Sequence, residues 1–436
     1  MTADRREIRP VEADEPHREL PHTLFLIVAA IPLVTFSNPV WQSLHALAWI
    51  LLAVEMVRQR RWLVRSPRRL WLPWTFFLLW SLAAALLSAA PSETLYDAKK
   101  LLNYLGLFLF LTVLRQAKDY LRILAGLAVV FSLESVWGIV QFLAATDPLA
   151  ARAHGSFSHH MTFTGLLLIA SLLVMPLLSL RPRGKEWLWW ALAILAPLGL
   201  VASLTRSAWL ALIPGLVVIL AFRRPRWLLA LPVGLAVLFL AVPQVRSRAL
   251  SILDTRGDYS TVQRLSIYPT GVRMVMQRPW FGLGSKDQVK AHYPEFDCNP
   301  PTPPAAVPGG PQLEPYETPL HLHNNVLEIA AERGLPALLA WLAALGVYFR
   351  ETWRHLRHRP GQEVTLEYRL VLGSLAACVA SLSMGMLEYN FGDSEVSILF
   401  LLALSIPFVL RFPDAGKPDP RPVEGTFRRQ ARFGGP

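Results

Sequence analysis

Long apolar blocks alternate with short polar segments along this chain. From residue 22 to residue 410, apolar runs of about 20 residues recur, which is the length that a helix needs to cross the hydrocarbon core of a bilayer. The pattern predicts an all-α polytopic membrane protein with about twelve membrane-spanning helices. The predicted spans are residues 22–36, 40–57, 70–90, 100–114, 121–145, 161–180, 187–204, 208–222, 227–242, 326–349, 366–386 and 395–410.

The same alternation divides the chain into five parts. Residues 1–21 form a polar N-terminal tail, and residues 22–242 hold the first nine predicted spans. A long polar segment follows at 243–322 and precedes the last three predicted spans at 323–411. Residues 412–436 are basic and rich in proline and glycine, a composition that is typical of disordered tails.

The long polar segment has an organisation of its own. Residues 261–277 have the pattern of an amphipathic helix that Pro269 interrupts, and residues 278–284 carry the proline and glycines of a turn. A short helix is predicted at 285–293. Residues 299–315 are rich in proline, which predicts an extended segment, and we interpret that segment as a lid.

Composition and charge support a membrane environment. The chain is 53% hydrophobic and only 17% charged, whereas soluble domains carry about 25% charged residues. The net charge of +12 could indicate a nucleic-acid partner. We reject that interpretation because the arginines lie between apolar runs rather than on one face, and we expect membrane lipids, not nucleic acid, around the chain.

Arginine-rich loops predict the orientation. They recur at every second connection, beginning with residues 58–69 after the second predicted span. By the positive-inside rule these loops are cytoplasmic, and with an even number of spans both termini are cytoplasmic too. The long polar segment and the tight connection at 203–207 then lie on the opposite, outer face.

A polar stretch, His321–Glu328, stands where the tenth predicted span begins. A neutral imidazole can take a proton from a sugar hydroxyl near pH 7, so His323 is the first candidate for a catalytic base. The alternative is a histidine that only caps or hydrogen-bonds the helix. His321 is interpreted as a substrate contact. Asn325 and Glu328 have the spacing of a capping box, which predicts that a helix starts here.

Two arginines on the outer face are candidates for binding an anion. Arg206 lies at a helix N-terminus inside a tight turn, where the partial positive charge of the helix already favours anions. The alternative is an arginine that snorkels to lipid phosphate. Arg264 lies on the amphipathic helix, and its planar guanidinium suits a diphosphate, although a solvated helix face would also explain it.

The remaining polar residues on this face are weaker candidates for substrate contacts. A lysine at a span end is more often a snorkelling residue, and an acidic residue in a loop is more often solvated. These candidates are Arg152, His159, Lys100 and Asp393, with Glu388 as a second acidic residue in the same last loop.

No cofactor motif is recognisable. The sequence lacks a Walker A motif, and we find no pair of aspartates or cluster of histidine and cysteine with the spacing of metal ligands. We therefore expect a reaction that uses no metal and no cofactor, in which arginines neutralise the leaving group.

Three motifs, taken in order, resemble the superfamily of O-antigen ligases and polymerases. The first is T-R-S-A-W at 205–209, and the second is Arg264 followed by R-P-W-F-G-L-G at 278–284. The third is His323-Asn324 followed by E-R-G-L-P at 332–336. The resemblance covers residues 151–349 by motif and the whole chain by the number of spans, and it is strongest to the lipopolysaccharide O-antigen ligases.

The resemblance implies a function. A GT-C-like glycosyltransferase of the bacterial inner membrane would transfer O-antigen polysaccharide from undecaprenyl diphosphate to lipid A–core oligosaccharide at the periplasmic face. By position, His323 matches the essential histidine of the family, and Arg206 and Arg264 match its two arginines. The matching acidic residue is either Glu388 or Asp393.

Two other functions compete with this one. An O-antigen polymerase would use the same donor and a second lipid-linked glycan as acceptor; one dominant outer loop favours the ligase. A transporter would place ionisable residues at the middle of discontinuous spans. Here the predicted spans are largely uncharged and the polar candidate residues lie at their outer ends, which argues against transport.

Overall fold

The computed structural model describes residues 20–88, 90–146, 152–179, 186–241, 243–250, 259–296, 320–357 and 364–410. The lid predicted at 299–315, the tail predicted at 412–436 and nearly all of the N-terminal tail lie outside the described residues.

The described residues form seventeen α-helices, joined by turns and short 3-10 helices, and contain no β-strand. In chain order they are α1 His22–Ala30, α2 Asn38–Gln59, α3 Arg68–Leu86, α4 Pro91–Ala98, α5 Leu101–Tyr104, α6 Gly106–Val113, α7 Ala117–Ala144, α8 His160–Val174, α9 Glu186–Ala202, α10 Arg206–Arg223, α11 Ala230–Ala241, α12 Pro243–Leu250, α13 Tyr259–Gln277, α14 Lys286–Ala291, α15 Asn325–Leu356, α16 Leu366–Met384 and α17 Ser394–Val409.

Seven of the described helices are long and apolar enough to cross a membrane: α2, α3, α7, α8, α10, α15 and α16. The helices α1, α9, α11 and α17 are apolar but shorter. The predicted all-α, polytopic membrane fold is thus confirmed. Together these helices account for every predicted span except the one at 100–114, so a total of twelve spans stays a prediction.

The span predicted at 100–114 corresponds to two consecutive helices, α5 and α6, that meet at Leu105, whose backbone angles stay in the helical region. The carbonyl oxygen of Tyr104 accepts a hydrogen bond from the indole of Trp74 at 3.1 Å. The side chains of Asn103 and Tyr104 bond to Ser394 and to the carbonyl of Phe391 at 3.0 and 2.9 Å. These polar contacts tie this segment to the start of α17, which a sequence pattern does not show.

The helices α8 and α17 lie at the centre of the bundle. Nearly every residue of both is buried, whereas α2 and α10 expose most of their apolar surface. Helix α15 packs along α3, and α16 packs along α10 and α8. Because lipid satisfies no backbone groups, such long helices are the expected way to cross a bilayer.

The helices of the long polar segment form a small second core against α15. Its buried residues come from α13, from α14, from the segments that follow these two helices, from the turn before α15 and from α15 itself. Each large apolar side chain contributes about 1.5–3 kcal/mol when fully buried. This packing fixes α13 and α14 beside the N-terminal half of α15. The members are Ile267, Met274, Leu283, Val289, Tyr293, Phe296, Leu322 and Ala331.

Candidate active site

The turn before α15 is built around Asn324. Its side-chain oxygen accepts hydrogen bonds from the backbone N–H groups of Val326 and Leu327 at 2.9 and 3.1 Å, so Asn324 is the N-cap. The predicted capping box of Asn325 and Glu328 is therefore wrong by one residue. The Glu328 carboxylate instead accepts the backbone N–H of Leu322 and so holds the turn closed.

Asn325 has a different task from the one predicted. Its backbone N–H donates to the carbonyl of Gly385 at 2.7 Å. Its side chain donates to the amide oxygen of Asn390 at 2.7 Å and accepts the backbone N–H of Phe391 at 3.1 Å. Asn325 thus joins the start of α15 to the loop between α16 and α17.

Three successive carbonyl oxygens of that loop accept hydrogen bonds from residues elsewhere in the chain. The Gly385 carbonyl accepts the backbone N–H of Asn325, as above. The Met386 carbonyl accepts from the Asn324 amide and the Tyr268 hydroxyl, both at 3.0 Å, and the Leu387 carbonyl accepts from the Arg264 Nε at 3.0 Å. The next residue, Glu388, is therefore placed with little freedom.

His323 adopts a left-handed backbone conformation with φ of 48°. This conformation is uncommon outside glycine and costs about 1–2 kcal/mol. The His323 carbonyl accepts a hydrogen bond from the Tyr268 hydroxyl at 3.2 Å, which helps to stabilise it. Strain of this kind is often found at functional sites.

Glu388 is buried between two imidazoles. The His323 Nδ1 lies 3.0 and 3.1 Å from the two carboxylate oxygens, and the His321 Nε2 lies 3.3 Å from Oε1. The two imidazole rings meet edge to face, with centroids 4.2 Å apart. The structure therefore brings together His321, His323 and Glu388 from two segments far apart in the sequence.

Glu388 is ionised near neutral pH. Burial alone would raise the pKa of the Glu388 carboxyl, but the hydrogen bond with His323 and the positive charge of Arg264 act in the opposite direction and lower this pKa. An ionised carboxylate only accepts hydrogen bonds, so the His323 Nδ1 carries the N–H. In the neutral imidazole the lone pair is then on Nε2.

Arg264 stands on the other side of the same carboxylate. Its Nη2 lies 3.8 Å from the Glu388 Oε2, and its Nε is bonded to the Leu387 carbonyl. At 3.8 Å this ion pair is longer than a bidentate pair, in which an arginine donates two parallel hydrogen bonds to a carboxylate. The side chains of Arg264 and Glu388 are 19% and 7% exposed, so the pair lies mostly out of solvent.

A cavity of about 650 Å³ opens beside these residues. His321, His323 and Glu388 line it, and so do the predicted contacts Lys100, His159 and Asp393. Burial lowers the pKa of His159, so this imidazole too favours its neutral form. A pocket of this size fits a ligand of a few sugar rings or less.

Three predicted site residues lie apart from this cavity lining. Arg264 is not among the lining residues, but it contacts Glu388, which is one of them. The Arg152 Nη1 lies 2.9 Å from the Nε2 of His160, which is the neighbour of the lining residue His159. Arg206 is the first residue of α10, after a three-residue connection from α9, and is not among the lining residues.

One wall of the cavity is a break in α15. Gly334 has φ of 80°, which frees the carbonyls of Ala331 and Glu332 from the helix. These carbonyls accept the backbone N–H groups of Leu283 and Gly284 at 2.7 and 3.1 Å. A Cβ atom at Gly334 would lie 1.9 Å from the Trp280 carbonyl oxygen, so only glycine fits this approach.

The break places a charged pair at the cavity. The Arg333 Nη2 lies 3.1 Å from the Glu332 Oε2, which also accepts the Tyr389 hydroxyl at 3.0 Å. The Arg333 guanidinium lies over the rings of Phe77 and Tyr104, 5.4 and 5.7 Å from their centroids. Tyr389 is the neighbour of Glu388, so this pair supports the same loop.

Residues 190–342 match a protein-family model described as O-antigen ligase. This match supports the assignment of the chain to the O-antigen ligase family. The match runs from within α9 to the middle of α15 and includes Arg206, Arg264 and His323, whereas Glu388 lies beyond it. A search of curated proteins gave no match to this chain.

Three residues of the candidate site were missed by sequence reasoning. Glu332 and Arg333 were used only as part of a motif, although a charged pair inside a predicted span was itself a signal, since ionisable residues there are costly. Tyr389 gave no signal, because its role depends on a contact with Glu332 that is distant in the sequence.

The candidate site also contains a set of potential metal ligands. One atom each of His321, His323 and Glu388 lies within 4.8 Å of the others. Two imidazoles and a carboxylate suit Zn²⁺ or Fe²⁺, and no sequence spacing predicted this set. The His323 Nδ1 is hydrogen-bonded to Glu388, so a metal ion bound through this nitrogen would take the place of its proton.

Proposed function

We propose that the chain is a metal-independent, inverting glycosyltransferase that ligates O-antigen from undecaprenyl diphosphate onto lipid A–core oligosaccharide. The match of residues 190–342 to the O-antigen ligase family model supports the reaction class. One observation carries the proposed mechanism: a buried, ionised Glu388 fixes the His323 ring with its Nε2 lone pair beside a sugar-sized cavity.

His323 is the general base in this proposal. The acceptor hydroxyl oxygen attacks the anomeric carbon, and its proton passes to the His323 Nε2. The bond between that carbon and the diphosphate breaks, and its electron pair leaves with the diphosphate. The imidazolium that forms lies beside the Glu388 carboxylate at 3.0 Å, which stabilises the charge. Attack from the face opposite the leaving group inverts the anomeric centre.

Arg206 and Arg264 bind the diphosphate leaving group in this proposal. Arg264 adjoins the base through Glu388 at 3.8 Å, so a diphosphate held by Arg264 would lie next to the reacting hydroxyl. Arg206 begins α10, and the backbone N–H groups of a helix start favour an anion. Both arginines stabilise the negative charge that develops as the donor bond breaks.

The proposed location is inferred from the positions of the arginine-rich connections and from the match to the O-antigen ligase family model. Arginine-rich connections put both termini in the cytoplasm of a bacterial inner membrane. The cavity then opens on the periplasmic side, where a lipid-linked donor and lipid A–core both present their sugars. The membrane-spanning helices hold the lipid tails of the two substrates.

A purified system tests the substrates. The protein receives undecaprenyl diphosphate with a labelled glycan in buffer with EDTA, together with either lipid A–core or a second lipid-linked glycan. We expect the label to move to lipid A–core, and the new linkage to have the opposite anomeric configuration. Label that moves only to the second lipid-linked glycan would show a polymerase instead.

A further inference from the structure

We propose that the C-terminal half of α13 and the turn that follows it lie in the membrane, in contact with lipid acyl chains. The long polar segment is thereby anchored to the bilayer, whereas the sequence pattern alone predicts a segment outside the membrane. This inference depends on the membrane-spanning fold and not on the proposed transfer reaction.

Exposed apolar side chains mark this part of the surface. Val272 and Met276 are four residues apart and so lie on one face of α13, where they are 46% and 75% exposed. Trp280, in the turn after the helix, is 67% exposed. Ile267 and Met274 belong to the second core and are fully buried. Helix α13 therefore has one apolar face packed in the second core and another that the described residues leave open.

A hydrogen bond joins the turn after α13 to the membrane-spanning helix α3. The indole N–H of Trp80 donates to the Trp280 carbonyl at 3.0 Å, and the Trp80 ring stacks on Phe281 with centroids 5.0 Å apart. Trp80 lies six residues before the end of α3 at Leu86, a distance of about 9 Å along the helix axis. The turn is therefore level with the interior of α3 and not with its end.

The surface of α15 is a second marker of depth. The backbone N–H of Leu335 donates to the Pro279 carbonyl in the turn at 2.7 Å. Within the described stretch 320–357, no α15 residue before Leu335 is exposed, whereas Leu335, Leu339 and Leu342 are. The exposed apolar side of α15 thus begins at the residue that contacts the turn.

The exposed apolar surface therefore runs from α3 through the turn to α15. On α3, the exposed Phe76 ring stacks on Trp80 with centroids 5.5 Å apart and extends this surface. Helices α3 and α15 are both long and apolar enough to cross a membrane, and lipid is the solvent along the exposed sides of such helices. A turn that is bonded to both helices at this depth meets the same solvent.

Arg278 gives this surface a charge that suits lipid. It lies between Met276 and Trp280, is exposed, and forms no ion pair with the described residues. A guanidinium can reach lipid phosphate while its apolar stem lies along acyl chains, and tryptophan favours the same interfacial zone. An exposed cation beside an exposed tryptophan is therefore typical of a lipid interface.

The lipid contact affects the candidate site through α13 itself. Arg264 lies near the N-terminal end of this helix and bonds the Leu387 carbonyl at 3.0 Å. A C-terminal end that is fixed in lipid therefore sets the depth at which Arg264 and the loop that carries Glu388 are held.

The fluorescence of a labelled cysteine tests the contact with lipid. In full-length protein with Cys298→Ser and Cys378→Ala, Met276→Cys carries a polarity-sensitive dye in nanodiscs with or without phospholipid that is brominated on its acyl chains. Leu339→Cys on α15 is the lipid-exposed reference, and Glu295→Cys, exposed on the same polar segment, is the matched control. We expect brominated lipid to quench the Met276 label as it quenches the Leu339 label, whereas only aqueous iodide quenches the Glu295 label. A Met276 label that iodide quenches, or that neither quencher reaches, would overturn the proposal, since the first outcome indicates water and the second a covering protein segment.

Tryptophan emission gives the same readout without a label or a cysteine replacement. Trp280→Phe keeps an aromatic side chain, and its emission subtracted from that of wild type isolates the Trp280 signal. Trp341→Phe isolates the signal of a buried tryptophan, 2% exposed, as the matched control. We expect brominated lipid to quench the Trp280 signal more strongly than the Trp341 signal; equal quenching would contradict the proposal. Neither measurement uses glycan transfer, so a failure of the proposed function leaves this test intact.

Discussion

Two helix starts face the same cavity, and each has a carboxylate near it. At α15, Glu388 receives two imidazoles and lies near a guanidinium. At α17, Asp393 accepts the Thr162 hydroxyl and caps the helix through the Glu395 backbone N–H. Glu388 and Asp393 are five residues apart in one loop, yet the partners of Glu388 are two imidazoles and a guanidinium, whereas those of Asp393 are a hydroxyl, a backbone N–H and the carboxyl group of Glu395. The partners, not the residue type, decide which carboxylate suits proton transfer.

The largest predicted difference between the two carboxylates is in turnover. Glu388→Gln removes the anion that stabilises the imidazolium of His323, and we expect transfer to slow by about 10²- to 10³-fold. Asp393→Asn keeps an oxygen that can cap α17, so its rate should stay within about 5-fold of wild type. Both rates are measured with purified protein and labelled donor. Equal losses of transfer rate in the two variants would contradict the different roles proposed for Glu388 and Asp393.

The α15 start also depends on the break at Gly334, which α17 lacks. Gly334→Ala places a Cβ against the Trp280 carbonyl and forces a side chain into a positive φ, at a cost of about 2 kcal/mol or more. We expect a lower thermal unfolding temperature in detergent and a loss of transfer.

Gly346→Ala is the matched control on the same helix. No neighbouring atom lies within 4 Å of a Cβ at Gly346, and alanine favours a helix over glycine. This variant should be as stable as wild type or more so. A stable, active Gly334→Ala protein would show that the break does not shape the site.

Lowering the pH should reduce the stability contributed by the interactions at the N-terminus of α15 more than that contributed by the interactions at the N-terminus of α17. The depressed pKa of Glu388 stabilises the folded chain above the ordinary carboxyl range, and this contribution is lost as the pH falls towards 2. His321, with its pKa lowered to about 4, also loses stabilisation as the pH falls from its ordinary value of about 6.5. The thermal unfolding temperatures of wild type and Glu388→Gln, measured from pH 7 to pH 3, test this loss of stability. The stability advantage of wild type should shrink as the pH falls; an advantage that grows would contradict the charge assignment.

The smallest predicted effect is that of metal removal. If protons occupy the ring nitrogens that face Glu388, treatment with EDTA should leave the transfer rate unchanged. The check is a rate with and without EDTA, followed by addition of Zn²⁺. Loss of activity in EDTA that Zn²⁺ restores would make His321, His323 and Glu388 a metal site and the proton arrangement wrong.

Much of the fold could be predicted because a bilayer demands long apolar helices, and these leave a direct pattern in the sequence. The hydrogen bond from Trp74 to the Tyr104 carbonyl, beside the junction of α5 and α6, could not, since it joins residues that are distant in the sequence. At the site, His323 was predictable from its polar neighbours at a helix start. The choice of Glu388 over Asp393 as its partner was not, because it follows from contacts between the start of α15 and a loop more than 60 residues further along.

The base assignment is tested most directly by the rate of a single turnover in His323→Ala, with both lipids bound in excess of their KM. We predict a fall of about 10²- to 10⁴-fold at unchanged donor binding, with His292→Ala equal to wild type as the matched control. A His323→Ala protein that transfers glycan at the wild-type rate would contradict the account.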